Sequence, residues 1–154
     1  MELHDLLLLL PIYTANASLL LAMRLKLLGH LHSMDRPVLV RLFGKNKTWL
    51  GLCMIIAIVT GGYVLVADTL SLFPALGMAV GVHASSFLKR KLGMKESSPL
   101  PPLDQLDFFI GGVAGLALSG AYLSDLFGAA VLTFAVHLTS NAIGYRMGLK
   151  DVWW

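Results

Sequence analysis

Long apolar runs alternate with shorter polar segments along the whole chain. Each run is close to the length that a helix rising roughly 1.5 Å per residue needs to cross a hydrocarbon layer of about 30 Å. The five runs cover roughly Leu6 to Met23, Leu50 to Ala67, Leu72 to Leu88, Phe108 to Leu123 and Leu126 to Gly144. This pattern predicts an all-α, polytopic membrane protein with about five transmembrane helices in a single integral membrane domain, residues 1–154.

Composition favours the same class, because 56% of the residues are hydrophobic and only 14% are charged. Soluble domains carry charge on about a quarter of their positions, so we expect a multi-pass protein of the cell membrane. The first run follows Glu2 and Asp5 instead of cations and has no convincing small-residue cleavage site. It is therefore interpreted as a retained helix and not as a secretory signal. The single Cys53 excludes an intramolecular disulfide.

The distribution of positive charge predicts an orientation. Of the twelve Lys and Arg residues, six lie from Arg24 to Lys47, four lie from Lys89 to Lys95, and Arg146 and Lys150 follow the last run. Cytoplasmic loops are enriched in such residues, so the N-terminus is predicted outside and the C-terminus in the cytoplasm. The cytoplasmic loops are then approximately residues 24–49 and 89–107. A net charge of +3 placed this way indicates anionic lipid headgroups or phosphorylated ligands as partners, and no nucleic acid is expected.

Small residues recur at every fourth position in the third and fourth runs. The two series are Gly77, Gly81 and Ser85, and Gly111, Gly115 and Ser119. Helices in lipid associate largely through close backbone approach at small residues. Both ridges are therefore expected inside the bundle.

Polar side chains within an apolar run are costly in lipid and are expected to face the interior. Such residues are Thr133, His137, Asn141 and Tyr145, four apart in the last run, and Tyr13, Asn16 and Ser18 in the first. For Tyr13, Ser18, Thr133 and Ser140, hydrogen bonding between helices is the favoured interpretation. For Asn16 and His137, such bonding and a ligand contact are equally supported.

The turn GKNKTW precedes the second run and places two lysines at the start of a helix. Gly44 permits a tight turn, and the ammonium groups of Lys45 and Lys47 are suited to binding a phosphate. Basic residues at this boundary also follow from topology alone, and the turn by itself favours that plainer interpretation. His30 and His32 form only a weak metal-binding pattern.

The prolines of SSPLPPLD predict an extended loop before the fourth run. Asp104 and Asp107 follow at i and i+3, on one side of the first helical turn. One acid there is explained by the favourable field at a helix N-terminus. Two neighbouring carboxylates repel unless a cation lies between them, and Mg²⁺ binds one or two carboxylates together with phosphates and water. From spacing alone, metal binding and its absence are equally supported.

Cations that neutralise phosphate and carboxylates that hold a bridging divalent ion are the groups that a phosphoryl or nucleotidyl transfer needs. Four parts of the chain stand out, in chain order: PIYTANAS, GKNKTW, SFLKRKLGMK with PLPPLDQLDFFIGG, and HLTSNAIGYRMGLKDVWW. Together they resemble the CDP-archaeol synthase family, which is related to the CDP-diacylglycerol synthases. The likeness covers nearly the whole chain.

The resemblance implies a membrane nucleotidyltransferase of phospholipid biosynthesis that transfers CMP from CTP to the phosphate of an unsaturated archaeal ether lipid, releases pyrophosphate and needs Mg²⁺. It implies that Asp104 and Asp107 hold the metal and that Lys89 and Arg90 act with them in catalysis. Further residues implied to bind phosphates are Lys45, Lys47, Thr48 and Lys91. Those implied to line the cleft are Asn16, His137 and Asn141.

The chain departs from the family pattern at two positions. An acidic residue that usually follows a glycine upstream of the Lys-Arg pair is replaced by Val82, and an arginine in the turn before the second run is replaced by Leu50. His83 is a candidate to compensate, although imidazole is a poor ligand for Mg²⁺. These departures motivate a second hypothesis, a divergent homologue that binds a nucleotide or anionic lipid without turnover.

A third hypothesis is a small transporter subunit, suggested by the polar stripe of the last run and the glycine ridges. The internal duplication that many carriers show is not visible here. For the leading hypothesis, the expected partners are CTP, a lipid phosphate and membrane lipids. A homodimer is a further expectation, because five short helices leave an apolar groove at the side of the bundle.

Overall fold

The computed structural model describes residues 2–24, 35–67, 70–95 and 98–148, apart from the side chains of residues 19–24. These described ranges form six helices and no strand. The helices are α1 (Leu3–Arg24), α2 (Val40–Phe43), α3 (Trp49–Ala67), α4 (Phe73–Lys91), α5 (Leu103–Leu118) and α6 (Leu126–Arg146). The predicted all-α class is confirmed.

Two helices, α3 and α6, are long and apolar enough to cross a membrane by length and composition. They contain 19 and 21 residues, whereas α5 contains 16, fewer than the roughly 20 that a span usually needs. Two such helices are compatible with a membrane protein. The count of five spans and the orientation of the termini stay predictions.

The fourth apolar run, predicted to cover Phe108 to Leu123, is displaced in the structure. Helix α5 begins at Leu103, directly after a pair of prolines, and ends at Leu118. The predicted C-terminal boundary was wrong because Gly120 adopts a φ of 83° and turns the chain, which the apolar residues beyond it do not reveal. The earlier start places Asp104 in the first helical turn, as predicted.

Helices α4 and α5 pack with their backbones in direct contact. A Cβ atom at Gly77 would overlap the carbonyl oxygen of Gly111, and a Cβ atom at Gly111 would overlap that of Gly77. One turn away, Gly81 lies against the carbonyl of Asp107, and Gly115 lies against the backbone at the start of α4. The glycines of both predicted ridges therefore meet in one interface, where any side chain would separate the two helices.

Helix α1 packs along α3 and also contacts α5. Its side chain Ile12 is fully buried and occupies the space that Gly112 of α5 leaves open. Pro11 lies within α1 and is accommodated because Gly62 of α3 meets it without a side chain. The helices α1, α3, α4 and α5 thus form the core, whereas α6 contacts mainly α5.

A fully buried carboxylate joins the start of α1 to the turn between α5 and α6. Oδ1 of Asp5 accepts a hydrogen bond of 2.8 Å from the N–H of Ser124, and Oδ2 accepts one of 2.6 Å from the Ser124 hydroxyl. A longer bond of 3.3 Å comes from the N–H of Glu2. Buried carboxylates require such donors, so this contact fixes the end of the bundle that lies away from the start of α5.

Gly111→Ala is expected to lower the free energy of unfolding by roughly 1–3 kcal/mol, because the added methyl group meets the backbone of α4. Thermal unfolding of the detergent-solubilised protein, followed by circular dichroism, measures the change. Gly61→Ala is the matched control, since a Cβ atom there meets nothing within 4 Å. It should stabilise α3 by about 0.5–1 kcal/mol through helix propensity alone. Equal effects of the two substitutions would contradict the contact.

Candidate functional site

A cavity of about 590 Å³ lies between α1, α3, α4, α5 and α6 and borders the turn before α3. We call it the large cavity. The candidate residues from the sequence that line it are Asn16, Lys47, Thr48, His137 and Asn141. The rest of the lining mixes apolar side chains, among them Leu52 and Ile55, with other polar groups. A mainly apolar wall with a few convergent polar groups is typical of a small-molecule site.

A smaller pocket of about 130 Å³ adjoins the large cavity, and we call it the basic pocket. Its cationic lining consists of Lys45, Lys47, Lys89 and Arg90. Asn46 and Lys47 line both the pocket and the large cavity. Four cations around so small a volume favour an anion such as phosphate. The shared Lys47 places that anion at the border of the large cavity.

A short antiparallel pairing holds the turn that carries two of these lysines. Backbone hydrogen bonds of 2.8 and 3.0 Å join residues 36–38 to residues 47–49. Gly44 has a φ of 84°, a conformation that glycine adopts readily. The Thr48 hydroxyl accepts a bond of 3.2 Å from the N–H of Gly51 and so caps the start of α3. The compact turn expected from the sequence is present.

Asp104 is paired with a lysine of the basic pocket. The Nζ atom of Lys89 lies 2.7 Å from Oδ2 of Asp104 and also donates to the carbonyl of Ser98 at 3.2 Å. The same Oδ2 accepts a bond of 2.9 Å from the N–H of Leu100. The two charged side chains are only 15% and 22% exposed. This ion pair therefore joins the end of α4 to the first turn of α5, and the bonds to Ser98 and Leu100 attach both side chains to the loop between the two helices.

Asp107 lies one turn further along α5 and contacts a different group. The hydroxyl of Ser85 donates to Oδ2 of Asp107 at 2.5 Å, and the N–H of Phe108 donates to Oδ1 at 2.6 Å. Burial holds the pKa of Lys47 below its usual value, while the negative charges of Asp107 and Asp104 oppose that shift. Both carboxylates are therefore within electrostatic range of the lysine that the two sites share.

The acidic pair is a poor metal site on its own but a suitable one beside a phosphate. Within the described ranges, no group of three His, Cys, Asp or Glu side chains is placed to hold a metal ion. Mg²⁺ needs only one or two protein carboxylates when it also binds substrate phosphates and water. Among the described residues, both hydrogen bonds to the Asp104 carboxylate go to Oδ2. Its Oδ1 is therefore available to a metal ion. The donor set fits an ion that binds together with a phosphate.

Lys91 does not line either site, and Tyr145 does not face the interior of the bundle. The ammonium of Lys91 lies 5.7 Å from the centre of the Phe87 ring, and Lys91 lines neither the cavity nor the pocket. Tyr145 is 49% exposed, so the prediction that the whole polar stripe of α6 points inward was wrong there. The reason is geometric: residues spaced by four rotate by about 40° per step on a helix, or about 120° from Thr133 to Tyr145.

Thr133 and His137, the first two residues of the polar stripe on α6, do face the interior of the bundle. The hydroxyls of Tyr13 and Thr133 are 2.6 Å apart, and the Thr133 hydroxyl lies 2.7 Å from the carbonyl of Ala129. A carbonyl can only accept, so Thr133 donates its one hydrogen to Ala129 and Tyr13 donates to Thr133. The predicted hydrogen bonding between helices is confirmed for Tyr13 and Thr133, whereas the Ser140 hydroxyl donates to the carbonyl of His137 in its own helix. Beside it, the ring of His137 stacks on Phe108 with 5.7 Å between centroids.

The two positions that depart from the family pattern lie in different places. Val82 lines the large cavity, whereas Leu50 lines neither site. The histidine pair His30 and His32 and the terminal residues 149–154 lie outside the described residues.

Sequence reasoning missed two residues of the site. Asn46 was not singled out, although it lies between the two lysines of the GKNKTW turn and lines both sites. Ser85 was read only as a small residue for packing, whereas its hydroxyl contacts Asp107. A signal was available, because Ser85 is four residues after Gly81 and Asp107 is four residues before Gly111. The continued spacing pairs them across the same interface.

The resemblance noted in the sequence is confirmed by comparison with known proteins. A family model described as CarS-like CDP-archaeol synthase matches residues 50–154. The protein named CDP-archaeol synthase from Aeropyrum pernix is 33% identical over an alignment of 168 positions, gaps included. The alignment covers 99% of this chain and 92% of that protein. The chain belongs to the CDP-archaeol synthase family.

Other family members match over different lengths. The CDP-archaeol synthase of Pyrobaculum arsenaticum is 36% identical and covers 94% of this chain and 93% of its own length. The one from Methanocaldococcus jannaschii is 40% identical over 94 residues, or 60% of this chain and 53% of that protein. The chain thus spans about half the length of this relative and nearly all of the other two. No solved structure matches the chain.

The Lys89–Asp104 pair is expected to contribute a coupling free energy of about 1 kcal/mol to folding. A double-mutant cycle of Lys89→Met and Asp104→Asn, read by thermal or denaturant unfolding in detergent, measures it. The matched control replaces Lys89→Met by Lys95→Met, because the Lys95 side chain is exposed. A coupling as large for Lys95 as for Lys89, or none for either, would argue against the observed pairing.

Proposed function

We propose that the protein is a multi-pass membrane cytidylyltransferase that transfers CMP from CTP to a lipid phosphate. The observation that carries this proposal is the junction of the large cavity with the basic pocket through Lys47. A nucleotide and an amphiphilic phosphate both need cationic and apolar surfaces side by side. Membership of the CDP-archaeol synthase family supports the same reaction class.

The proposed membrane arrangement has five spans, formed by α1, α3, α4, α5 and α6, with the N-terminus outside and the C-terminus in the cytoplasm. The enrichment of Lys and Arg on one side supports this orientation. It places the turn before α3, the end of α4 and the start of α5 together at the cytoplasmic face. The basic pocket then lies at the depth of the lipid headgroups, where cytosolic CTP and a lipid phosphate can meet.

The proposed reaction is a direct displacement. An oxygen of the lipid phosphate attacks the α-phosphorus of CTP, the bond from that phosphorus to the oxygen bridging to the β-phosphorus breaks, and pyrophosphate leaves. The product is a CDP-lipid, and no covalent enzyme intermediate forms. The lipid phosphate is already ionised at neutral pH, so no general base is required. Catalysis then depends on positioning and charge stabilisation.

The proposed roles follow from location. Lys45, Lys47, Lys89 and Arg90 bind the phosphate oxygens in the basic pocket. Asp104 and Asp107 would hold a Mg²⁺ ion, which supplies further neutralisation of the triphosphate when bound. The ammonium of Lys89 would then contact both Asp104 and the incoming phosphate. The hydroxyl of Ser85 would hold the carboxylate of Asp107 in its orientation across the α4–α5 interface.

The proposed acceptor is the phosphate of an unsaturated archaeal ether lipid, or a phosphatidic-acid-like lipid. The names of the family relatives support the first. Both acceptors present a phosphate monoester on an apolar anchor, so the same pocket chemistry would serve either one.

The test incubates the purified full-length protein with CTP, Mg²⁺ and either archaetidic or phosphatidic acid, and measures CDP-lipid. Product is expected with at least one of the lipids. Lys47→Met should lower kcat/KM about 100-fold, the typical cost of removing one charge-stabilising group. Lys95→Met, outside the pocket, should leave activity unchanged. If the folded protein gives no product with either lipid, the proposal is wrong.

A second candidate is a homologue that binds nucleotide or anionic lipid without turnover. The position of Val82 in the wall of the large cavity favours it, because the family usually has an acidic residue there. In this case Val82→Asp should raise CDP-lipid formation from background by about tenfold or more, as a restored charge contact is expected to do. Val82→Asn is the matched control without the charge. Robust turnover by the unchanged protein would exclude this candidate.

A further inference from the structure

His83 occupies the wall between the two sites. Its imidazole lines the large cavity, and its ring meets the ring of Phe43 in an edge-to-face contact with 4.9 Å between centroids and an angle of 89°. Phe43 in turn lines the basic pocket. Resting on the function proposed above, we propose that His83 accepts a hydrogen bond from the nucleoside part of the bound nucleotide and thereby contributes to its selection.

The orientation of the imidazole follows from its hydrogen bond. Nδ1 of His83 lies 2.7 Å from the carbonyl oxygen of Ala79, one turn earlier on α4. A carbonyl can only accept, so Nδ1 carries the hydrogen. In the neutral ring, which predominates above pH 7 in water, Nε2 is then an acceptor. Nε2 makes no hydrogen bond within the described part of the chain, so it is available to a ligand in the large cavity.

The position of the ring is fixed from two sides. The bond to Ala79 sets its rotation, and the edge-to-face contact with Phe43 holds its plane. Such aromatic contacts contribute about 0.5–1.5 kcal/mol beyond the area that they bury. An acceptor held this rigidly pairs with a donor only where that donor is correctly placed, and selectivity follows from that requirement.

The lining of the large cavity indicates which half of the ligand lies next to His83. Phosphates belong in the basic pocket, and Lys47 connects that pocket to the cavity. The uncharged hydrogen-bonding side chains of the cavity wall are Tyr13, Thr14, Asn16, Asn46, Thr48, His83, His137, Ser140 and Asn141. No carboxylate is among the described residues that line it. A hydrocarbon chain offers no hydrogen-bond donor to Nε2 of His83, whereas a base or a ribose does.

We assign the donor to one of two groups of CTP, the exocyclic amine of cytosine or the ribose 2′-hydroxyl. The shared chemistry is a neutral N–H or O–H donor. UTP lacks the amine and 2′-deoxy-CTP lacks the 2′-hydroxyl, so the pair of analogues separates the two sources. A site built to pair with such a donor loses affinity when the donor is missing, because its own acceptor is left unpaired.

The experiment measures binding of CTP, UTP and 2′-deoxy-CTP to the full-length detergent-solubilised protein by calorimetry with Mg²⁺ present. The wild-type protein should bind CTP about tenfold more tightly than one of the two analogues, the effect of one hydrogen bond. His83→Phe keeps an aromatic ring beside Phe43 and removes the acceptor. In this variant, the ratio of the affinity for CTP to the affinity for the weaker-binding analogue should fall close to one. The matched control, His4→Phe, changes an exposed histidine at the far end of α1 and should leave the ratio unchanged.

If His83→Phe does not fold, His83→Asn replaces it, because the short amide can reach the Ala79 carbonyl but not the position of Nε2, and the same loss is expected. Equal wild-type affinity for all three nucleotides, or a ratio that survives both substitutions, overturns the inference. The proposed function is scored separately by CDP-lipid formation. A protein that makes CDP-lipid with an unaltered ratio in the variants retains the function and refutes the role of His83.

Discussion

The backbone contact between α4 and α5 determines where the charged side chains of the candidate site lie. On α4 the contact stripe reads Gly77, Gly81, Ser85 and Lys89, each four residues apart, and on α5 it runs in the opposite direction through Gly115, Gly111, Asp107 and Asp104. The glycine half lets the two helices touch. In the polar half, a serine contacts one carboxylate and a lysine contacts the other. The same interface therefore holds the two helices together at its glycines and positions the charged side chains at its other end.

The candidate site consists of two adjoining parts with different linings, the basic pocket and the large cavity. The basic pocket combines a turn before α3 with the last turn of α4, and the large cavity extends from the same turn into the bundle. Lys47 is common to both, and it is held near two carboxylates on α5. In the proposed function, an anion in the pocket would share Lys89 with Asp104, and a divalent ion would bind the two carboxylates together with that anion. The ion and the phosphate would bind as one unit.

Much of this organisation could be predicted from local patterns. The helices, the glycine ridges, the tight turn at Gly44 and the position of Asp104 in the first turn of α5 all follow from periodicity and from residues with restricted backbones. Contacts between distant parts of the chain could not be predicted in this way. Ser124 binds a carboxylate 119 residues earlier, and no spacing rule connects the two.

The failures have equally local causes. Tyr145 continues a spacing of four but has rotated away from the interior, and Lys91 follows two pocket cations yet lies over the Phe87 ring and outside the pocket lining. The second case shows why a run of like charges is a weak guide to a site. Successive residues on a helix differ in direction by about 100°, so a run of three cannot converge on one ligand.

The hydrogen bond between Tyr13 and Thr133 has a consequence for the direction in which a ligand can lie. Because the Tyr13 hydroxyl donates its one hydrogen to Thr133, its oxygen can only accept a hydrogen bond from a ligand in the large cavity. A negatively charged group is thus repelled from that end and attracted to Lys47 at the other. In the proposed function, the nucleotide would therefore lie with its phosphates at Lys47 and its nucleoside towards Tyr13.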